Sequence, residues 1–224
     1  MRFLSFALLI ALFALTLHAQ PLIVVNSDKS VSSAGTKYHY LFENEKFTTP
    51  RIELEFGGDG KGEFRFKKKD SEEIANKLQV TPTVLEQINA LLTELSFLDS
   101  SENYQHKKDF SHLGTVTIEV AKAGKHRKTQ FNYTDNPAMT KLANIFRNIA
   151  TQETRVFEIE TVRQSDPIST PAQLRFLDNE LRSKSIADPE RFVALLQDIK
   201  MDEGVPLIAR NHAERLLKDI KKAK

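Results

Sequence analysis

The stretch RIELEFGGDGKGEFRFKKK, residues 51–69, places four glycines between two runs in which apolar and charged side chains alternate. The apolar side chains of the two runs occupy every second position: Ile52, Leu54, Phe56, Phe64 and Phe66. Alternation of this kind is typical of β-strands with one buried face. The stretch therefore predicts a β-hairpin in which both phenylalanines of the second strand are buried.

The register of this hairpin is predicted from its turn. Two alignments of the strands keep the apolar faces together. With Gly57 opposite Lys61, the loop has three residues and Gly60 takes the left-handed position that favours glycine. An alignment two residues further along would pair Glu55 with Arg65, but exposed charge pairs across strands contribute only about 0.2–1 kcal/mol. The turn therefore decides, and we predict the first alignment with a positive φ at Gly60.

The glycines do not match a phosphate-binding or nucleic-acid-binding motif. A P-loop requires Gly-x-x-x-x-Gly-Lys followed by Ser or Thr, and a dinucleotide-binding loop requires glycines that open a helix. Here Glu63 and a predicted strand follow the glycines. An RNA-binding sheet needs exposed aromatic rings, whereas Phe64 and Phe66 are predicted to be buried. We therefore interpret the stretch as a structural turn.

The order strand, strand, helix occurs twice along the chain, in residues 51–98 and in residues 114–150. Each helix is amphipathic and begins with a capping side chain followed by a proline, the residues favoured at a helix N-terminus. These starts are Thr81-Pro82 and Asn136-Pro137. The turn of the second hairpin is predicted at Ala123 and Gly124.

Together the two units predict an α+β fold, with a four-stranded antiparallel sheet and two helices on one face. Residues 38–42 are expected to add an edge strand, and residues 156–162 would make a sixth strand. The alternating aromatic residues Tyr38 and Tyr40 are interpreted as packing residues rather than as the lining of a ligand groove. The sheet domain is accordingly assigned to residues 38–165.

Residues 166–224 predict a three-helix segment that packs on the sheet domain. A proline stands at the start of each predicted helix, in the pairs Thr170-Pro171, Asp188-Pro189 and Val205-Pro206. The first two starts also have a capping side chain. The predicted buried face of the third helix includes Ile208 and Ala209. The short connections favour antiparallel neighbours.

The last two predicted helices, DPERFVALLQDIKMDEGVPLIARNHAERLLKDI (residues 188–220), resemble the helix pair of HEAT-type repeats in the spacing of their alanines and leucines. HEAT arrays are interaction scaffolds, and about three repeats are needed to bury a continuous core. A single pair is therefore expected to pack on the rest of the chain. The whole sequence also resembles bacterial exported proteins of unknown function with a hairpin-helix core. That resemblance implies a compartment and no particular activity.

The N-terminus predicts export. Arg2, the apolar run of residues 3–17 and the small residue Ala19 have the three-part layout of a secretory signal. We expect a signal peptide over residues 1–19 with cleavage after Ala19, then a flexible tether over residues 20–37, and a periplasmic or secreted protein. An uncleaved signal that anchors the chain is the alternative. No later stretch reaches the length of about 20 apolar residues that a membrane span needs.

The composition narrows the classes of partner. Cysteine is absent, which excludes disulfides, thiolate metal sites and cysteine nucleophiles. Without residues 1–19 the chain would have 224 − 19 = 205 residues, and losing Arg2 leaves 32 − 1 = 31 basic against 30 acidic side chains. This near-neutral balance argues against a nucleic-acid partner.

The best candidate for chemistry is the connection between the two units, SSENYQHKKDFSHLG, residues 100–114. His106, Asp109 and His112 could supply two imidazoles and a carboxylate to a metal ion, the ligand types of zinc and non-haem iron enzymes. Their spacing matches no known metal-binding signature, so an ordinary surface loop is the simpler interpretation. No residue is predicted to be catalytic or to bind a cofactor, because the Gly-x-Ser-x-Gly and His-Glu-x-x-His motifs are absent.

We therefore expect an exported, non-enzymatic protein that binds a ligand or takes part in structural interactions. Its expected partner is another exported or envelope protein. The alternatives are a metal-assisted hydrolase or other enzyme that uses the loop from His106 to His112, and a membrane-tethered interaction module held by an uncleaved signal.

Overall fold

The computed structural model of the protein describes residues 35–222. The predicted signal peptide, its cleavage site at Ala19 and residues 20–34 of the predicted tether lie outside the described residues. Within residues 35–222, no helix combines the length and the apolar character that crossing a membrane requires.

Six antiparallel strands within residues 35–222 form a single sheet. They are β1 (Lys37–Glu43), β2 (Arg51–Gly57), β3 (Lys61–Lys67), β4 (Glu73–Gln79), β5 (Thr115–Lys122) and β6 (Lys125–Phe131). Their spatial order is β4-β3-β2-β1-β5-β6. The predicted α+β class with an antiparallel sheet is confirmed. The sheet has six strands, the largest number that the sequence analysis expected.

The hairpin of β2 and β3 has the predicted register. Leu54 lies opposite Phe64 and Ile52 opposite Phe66, and both phenylalanines are fully buried. Gly60 has a φ of 77°. Its carbonyl accepts a hydrogen bond from the N–H of Val80 at 2.8 Å, so the chain that leaves β4 passes directly against this turn.

The predicted edge position of residues 38–42 is wrong. β1 lies in the middle of the sheet, because it pairs with β2 on one side and with β5 on the other. It thereby joins the two hairpins, with Tyr40 opposite Ile118 of β5. Tyr38 and Tyr40 are each 1% exposed, as expected of packing residues.

The edge strand β4 is an element that the sequence analysis did not predict. Its side chains are mostly polar or partly exposed, and Leu78 is its one buried residue. Edge strands often carry charged side chains, because these oppose pairing with another chain. Such a strand has too weak an apolar alternation to be recognised from sequence.

The second hairpin has its turn at Ala123 and Gly124, as predicted. These residues have φ values of 51° and 79°. Positive φ at both central positions is what a two-residue turn needs to match the twist of the flanking strands.

Two helices, α1 (Pro82–Glu94) and α2 (Pro137–Ser165), cover one face of the sheet. Asn136 caps α2 as predicted, and its side chain accepts a hydrogen bond from the Met139 N–H at 3.0 Å. Thr81 precedes α1 at the expected position but makes no capping hydrogen bond. Its buried hydroxyl has no hydrogen-bond partner among the described residues.

The strand predicted over residues 156–162 is wrong, because this segment belongs to α2. The helix is 29 residues long, and Val156 and Ile159 are buried one turn apart. The local sequence VFEIETV also alternates apolar and polar residues, which is why it resembles a strand. The helices that follow supply the partners for its helical face.

Three helices complete the chain: α3 (Thr170–Arg182), α4 (Val193–Met201) and α5 (Leu207–Lys222). With the second half of α2 they enclose a hydrophobic cluster separate from the core of the sheet. Leu177, Phe192 and Ala213 are completely buried in this cluster. The predicted burial of Ile208 is wrong, since this side chain is 65% exposed.

Of the two helix caps predicted in this segment, the one at Asp188 forms and the one at Thr170 does not. Asp188 accepts a hydrogen bond from the Glu190 N–H at 3.0 Å, in the short turn before α4. Thr170 does not cap α3: it is the first helical residue, and its buried hydroxyl lacks a partner in the described part of the chain. The predicted cap at Thr170 is therefore wrong.

The core face of the sheet has three rows of apolar side chains that run across the strands, and β1 contributes Tyr38, Tyr40 and Phe42 to successive rows. α1 covers the first row, where the Tyr38 hydroxyl donates to Asn89 Oδ1 at 2.8 Å. α2 covers the second row, where Phe146 stacks on Tyr40 with ring centroids 5.4 Å apart. The third row is only partly covered, and this creates a cleft.

Candidate binding site

The loop between α1 and β5 gives its three candidate metal ligands separate partners. His106 Nε2 lies 3.1 Å from Asp135 Oδ2, the carboxylate of Asp109 accepts a hydrogen bond from the Asn132 side-chain amide, and His112 is exposed. In the part of the chain that the structure describes, no group of three His, Asp or Glu side chains is arranged to hold a metal ion. The structure therefore does not bring the three predicted residues together as a metal site.

The same loop is hydrogen-bonded to the residues that directly follow β6. The His106 N–H donates to the Tyr133 carbonyl at 2.9 Å, and the Asn132 N–H donates to Gln105 Oε1 at 2.9 Å. The end of the loop, at Leu113, reaches the third apolar row.

A cleft of about 580 Å³, which we call the α2 cleft, lies between α2 and the third apolar row of the sheet. Small-molecule pockets in proteins typically have volumes of about 300–1,000 Å³. The cleft has an apolar floor from the sheet, a wall from α2 and a rim of exposed side chains from loops.

The floor of the α2 cleft consists of neighbours on adjacent strands: Ile52, Phe42, Val116 and Phe131. On the other side of Ile52, the row continues to Phe66 of β3. At Phe66, α2 covers the row: the ring centroids of Phe66 and Phe157, which belongs to α2, are 5.2 Å apart. The helix therefore covers the β3 end of the row. Beside the cleft, Phe42 and Ile52 are partly exposed, whereas Val116 and Phe131 are buried.

The wall of the cleft is one face of α2, made mostly of small and polar side chains. Its members recur at three- and four-residue spacing: Thr140, Ala143, Asn144, Arg147, Ala150, Thr151, Thr154 and Arg155. This spacing marks a single helical face. Larger apolar side chains at the alanine and threonine positions would fill the space between helix and sheet, so the short residues keep the cleft open.

The rim carries three large apolar side chains that are exposed. Phe47, Leu113 and Tyr133 are 43%, 42% and 43% exposed, and all three line the cleft. Phe47 lies against Phe42 with ring centroids 5.7 Å apart. Exposed apolar side chains that gather around a cavity are typical of binding sites.

Two arginines bring positive charge to the wall, and only one of them is paired. Arg155 Nε and Nη2 donate to the two carboxylate oxygens of Glu180 on α3, at 2.9 and 2.7 Å. Arg147 Nη1 donates to the side-chain oxygen of Asn144 at 2.6 Å. Among the described residues, no carboxylate lies within 4.0 Å of the Arg147 guanidinium.

The hydroxyl of Tyr40 lies beside this unpaired guanidinium. Burial raises the pKa of Tyr40 to about 12, an effect that the neighbouring Arg147 only partly offsets. The hydroxyl therefore keeps its proton at neutral pH. Because Tyr40 also lines the cleft, it adds a second hydrogen-bond donor next to Arg147.

The lining supplies hydrogen-bond donors and apolar contacts, and its acidic side chain is already paired. Of the described residues that line the cleft, none is a histidine, and the single acid, Glu180, is held by Arg155. General acid–base catalysis needs a group that can exchange a proton near the working pH. The threonine hydroxyls of the wall have no such base beside them.

The sequence analysis did not predict this site. The available signal was the helical recurrence of short side chains from Thr140 to Thr154, beside the apolar face that identified the helix. That pattern alone does not indicate a cavity. The floor opposite it depends on the pairing of β1 with β2 and β5, which the sequence does not reveal.

Comparison with known proteins identifies no family. No protein-family model matches the sequence, and no curated protein matches it either. The function is therefore argued from the geometry of the cleft.

Proposed function

We propose that this is an exported, non-enzymatic binding protein of the periplasm or the cell exterior, which holds a small, largely apolar molecule in the α2 cleft. The observation that carries the proposal is the cavity of about 580 Å³ beside the third apolar row. It is lined by Phe42, Val116 and Phe131, and three exposed apolar side chains stand at its rim. Export is inferred from residues 1–19, which have the layout of a signal peptide.

The energetic reason is the apolar surface that the cleft leaves uncovered. Each Å² of apolar surface removed from water contributes about 25 cal/mol. Val116 and Phe131 are already buried. The apolar surface that a bound molecule would cover therefore belongs to the partly exposed Phe42 and Ile52 and to the rim residues Phe47, Leu113 and Tyr133.

The other expectations from the sequence stay predictions. The metal-assisted form of the enzyme alternative needs His106, Asp109 and His112 at one metal ion, and the separate partners of His106 and Asp109 give that form no support. The tethered alternative depends on residues 1–19, outside the described chain. An exported or envelope protein as a partner is compatible with the exposed side chains of Ile168 and Ile208, 80% and 65% exposed.

The proposal is tested with N-phenyl-1-naphthylamine, a neutral apolar dye that fluoresces when it leaves water. We expect saturable binding to the purified protein at one site. Thr151→Phe places a ring in the wall of the cleft and should weaken dye binding at least about tenfold, a change of about 1.4 kcal/mol.

The matched control is Thr161→Phe, the same substitution on the same helix at an exposed position outside the cleft. It should bind the dye as the unchanged protein does. Circular dichroism and thermal unfolding verify that both variants fold. Equal dye affinity in the two variants, or no saturable binding at all, would show that the cleft is not the binding site.

A further inference from the structure

We infer that the natural ligand of the α2 cleft is an amphipathic molecule with one carboxylate, which binds Arg147, and an otherwise apolar body. The inference rests on the proposed function and adds the chemical class of the ligand. Three features of the cleft lead to it: one unpaired cation, a neighbouring hydroxyl donor and a long apolar floor.

The charge of Arg147 has no partner within the described chain. A guanidinium has five N–H donors, and its hydrogen bond to Asn144 Oδ1, at 2.6 Å, uses one of them. Asn144 is neutral, so this contact orients the guanidinium without neutralising it. Arg155, further along the same wall, differs because Glu180 and Glu158 accept its hydrogen bonds at 2.7–2.9 Å.

The geometry favours a carboxylate over other anions. The planar fork of an arginine matches the two oxygens of a carboxylate, which it binds with two parallel hydrogen bonds. One unpaired guanidinium balances one negative charge, whereas a phosphate monoester carries nearly two at neutral pH. The protonated hydroxyl of Tyr40, next to Arg147, can donate a further hydrogen bond to the same group.

The rest of the lining fits an apolar body. The floor residues Ile52, Phe42, Val116 and Phe131 form the row next to that of Tyr40, and Leu113 and Tyr133 at the rim are exposed. The other cation of the wall is already paired, and the threonines carry no charge. A ligand with a second charged group would leave that group without a partner among these residues.

The test measures how decanoate and decan-1-ol displace the dye from the cleft. The two probes share a ten-carbon chain and differ in the charged head. We expect decanoate to bind about tenfold tighter than decan-1-ol, the effect of one partly exposed charge-assisted contact. In Arg147→Gln this preference should fall to within about twofold, because the carboxylate of decanoate loses its charge partner.

Lys141→Gln is the charge control, because it removes one positive charge from an exposed position of α2 outside the cleft. It should keep the preference for decanoate. Equal affinity for the two probes in the unchanged protein, or a preference that survives Arg147→Gln, overturns the inference. If neither probe displaces the dye, the inference also fails, but saturable dye binding that Thr151→Phe weakens still supports the proposed function. If the dye itself does not bind, both proposals fail together.

Discussion

Replacing Gly60 with alanine should destabilise the protein far more than the same replacement at Gly124. Both glycines occupy hairpin turns with nearly equal backbone angles, φ 77° and 79°. A Cβ at Gly124 would have no atom within 4 Å, whereas one at Gly60 would lie 2.1 Å from the Val80 carbonyl oxygen. The pair therefore separates the cost of a left-handed backbone from the cost of a steric clash.

The expected magnitudes follow from these contacts. A left-handed alanine costs about 1 kcal/mol, which is the whole expected effect at Gly124. At Gly60 the turn must also move away from Val80. This sacrifices the hydrogen bond from the Val80 N–H, worth about 1 kcal/mol, and partly exposes a side chain that is now 3% exposed, at about 1 kcal/mol more. The total at Gly60 is about 3 kcal/mol.

The two variants are compared by thermal unfolding and by urea titration of the purified protein. For a chain of this size, the midpoint temperature should fall by about 2–4 °C in Gly124→Ala and by about 6–12 °C in Gly60→Ala. The effect on the unfolded chain is similar for both substitutions, so it largely cancels in the comparison. Equal losses of stability would refute the close approach of Val80 to the first hairpin turn.

Two further predictions concern ion pairs. Burial raises the pKa of Glu53, but hydrogen bonds from His39 and Arg51 outweigh it, and the pKa lies below its ordinary value of 4.5. The stabilisation by Glu53 is therefore present above pH 4.5 and lost as the pH falls through the lower folded-state pKa. Glu53→Gln should cost about 1–2 kcal/mol at pH 7 and less at pH 3 in urea titrations, and an equal loss at both would contradict this. Arg155→Gln and Glu180→Gln should each cost about 2–3 kcal/mol, since these side chains are only 11% and 18% exposed. The double variant should lose less than the sum, and strict additivity in this double-mutant cycle would show that the pair is not coupled.

Much of the fold could be predicted because its signals are local. The hairpin register followed from the position of Gly60, and the turn at Ala123 and Gly124 followed from its residues. The start of α2 followed from Asn136. Thr81 and Thr170 show the limit of such rules. Thr81 stands at the cap position without a capping hydrogen bond, and Thr170 is already the first helical residue.

The central position of β1 and the length of α2 could not be predicted from local patterns. β1 pairs with β5, whose residues lie far along the chain, so Tyr40 meets Ile118 only after the sheet has formed. The sequence VFEIETV fits a strand and a helix equally well. The cluster formed with α3, α4 and α5 decides between them by burying Val156 and Ile159.

The candidate site, too, could not be predicted from local sequence patterns. The loop with His106, Asp109 and His112 attracted attention because its residue types suit a metal, but the structure gives these side chains other partners. The α2 cleft, in contrast, is built from residues with ordinary roles. Its floor comes from four neighbouring strands of the sheet, and its unpaired cation, Arg147, is recognisable only once its surroundings are known.

By itself, the sequence determined the two hairpins, the first register, the starts of α1 and α2 and the α+β class, because period-two and helical patterns and turn chemistry act between neighbouring residues. Only the tertiary structure decided which strand lies at the centre, where α2 ends and which apolar row stays uncovered. These depend on pairing and packing between residues that are distant along the chain, and the α2 cleft exists because two helices cover only part of a three-row face.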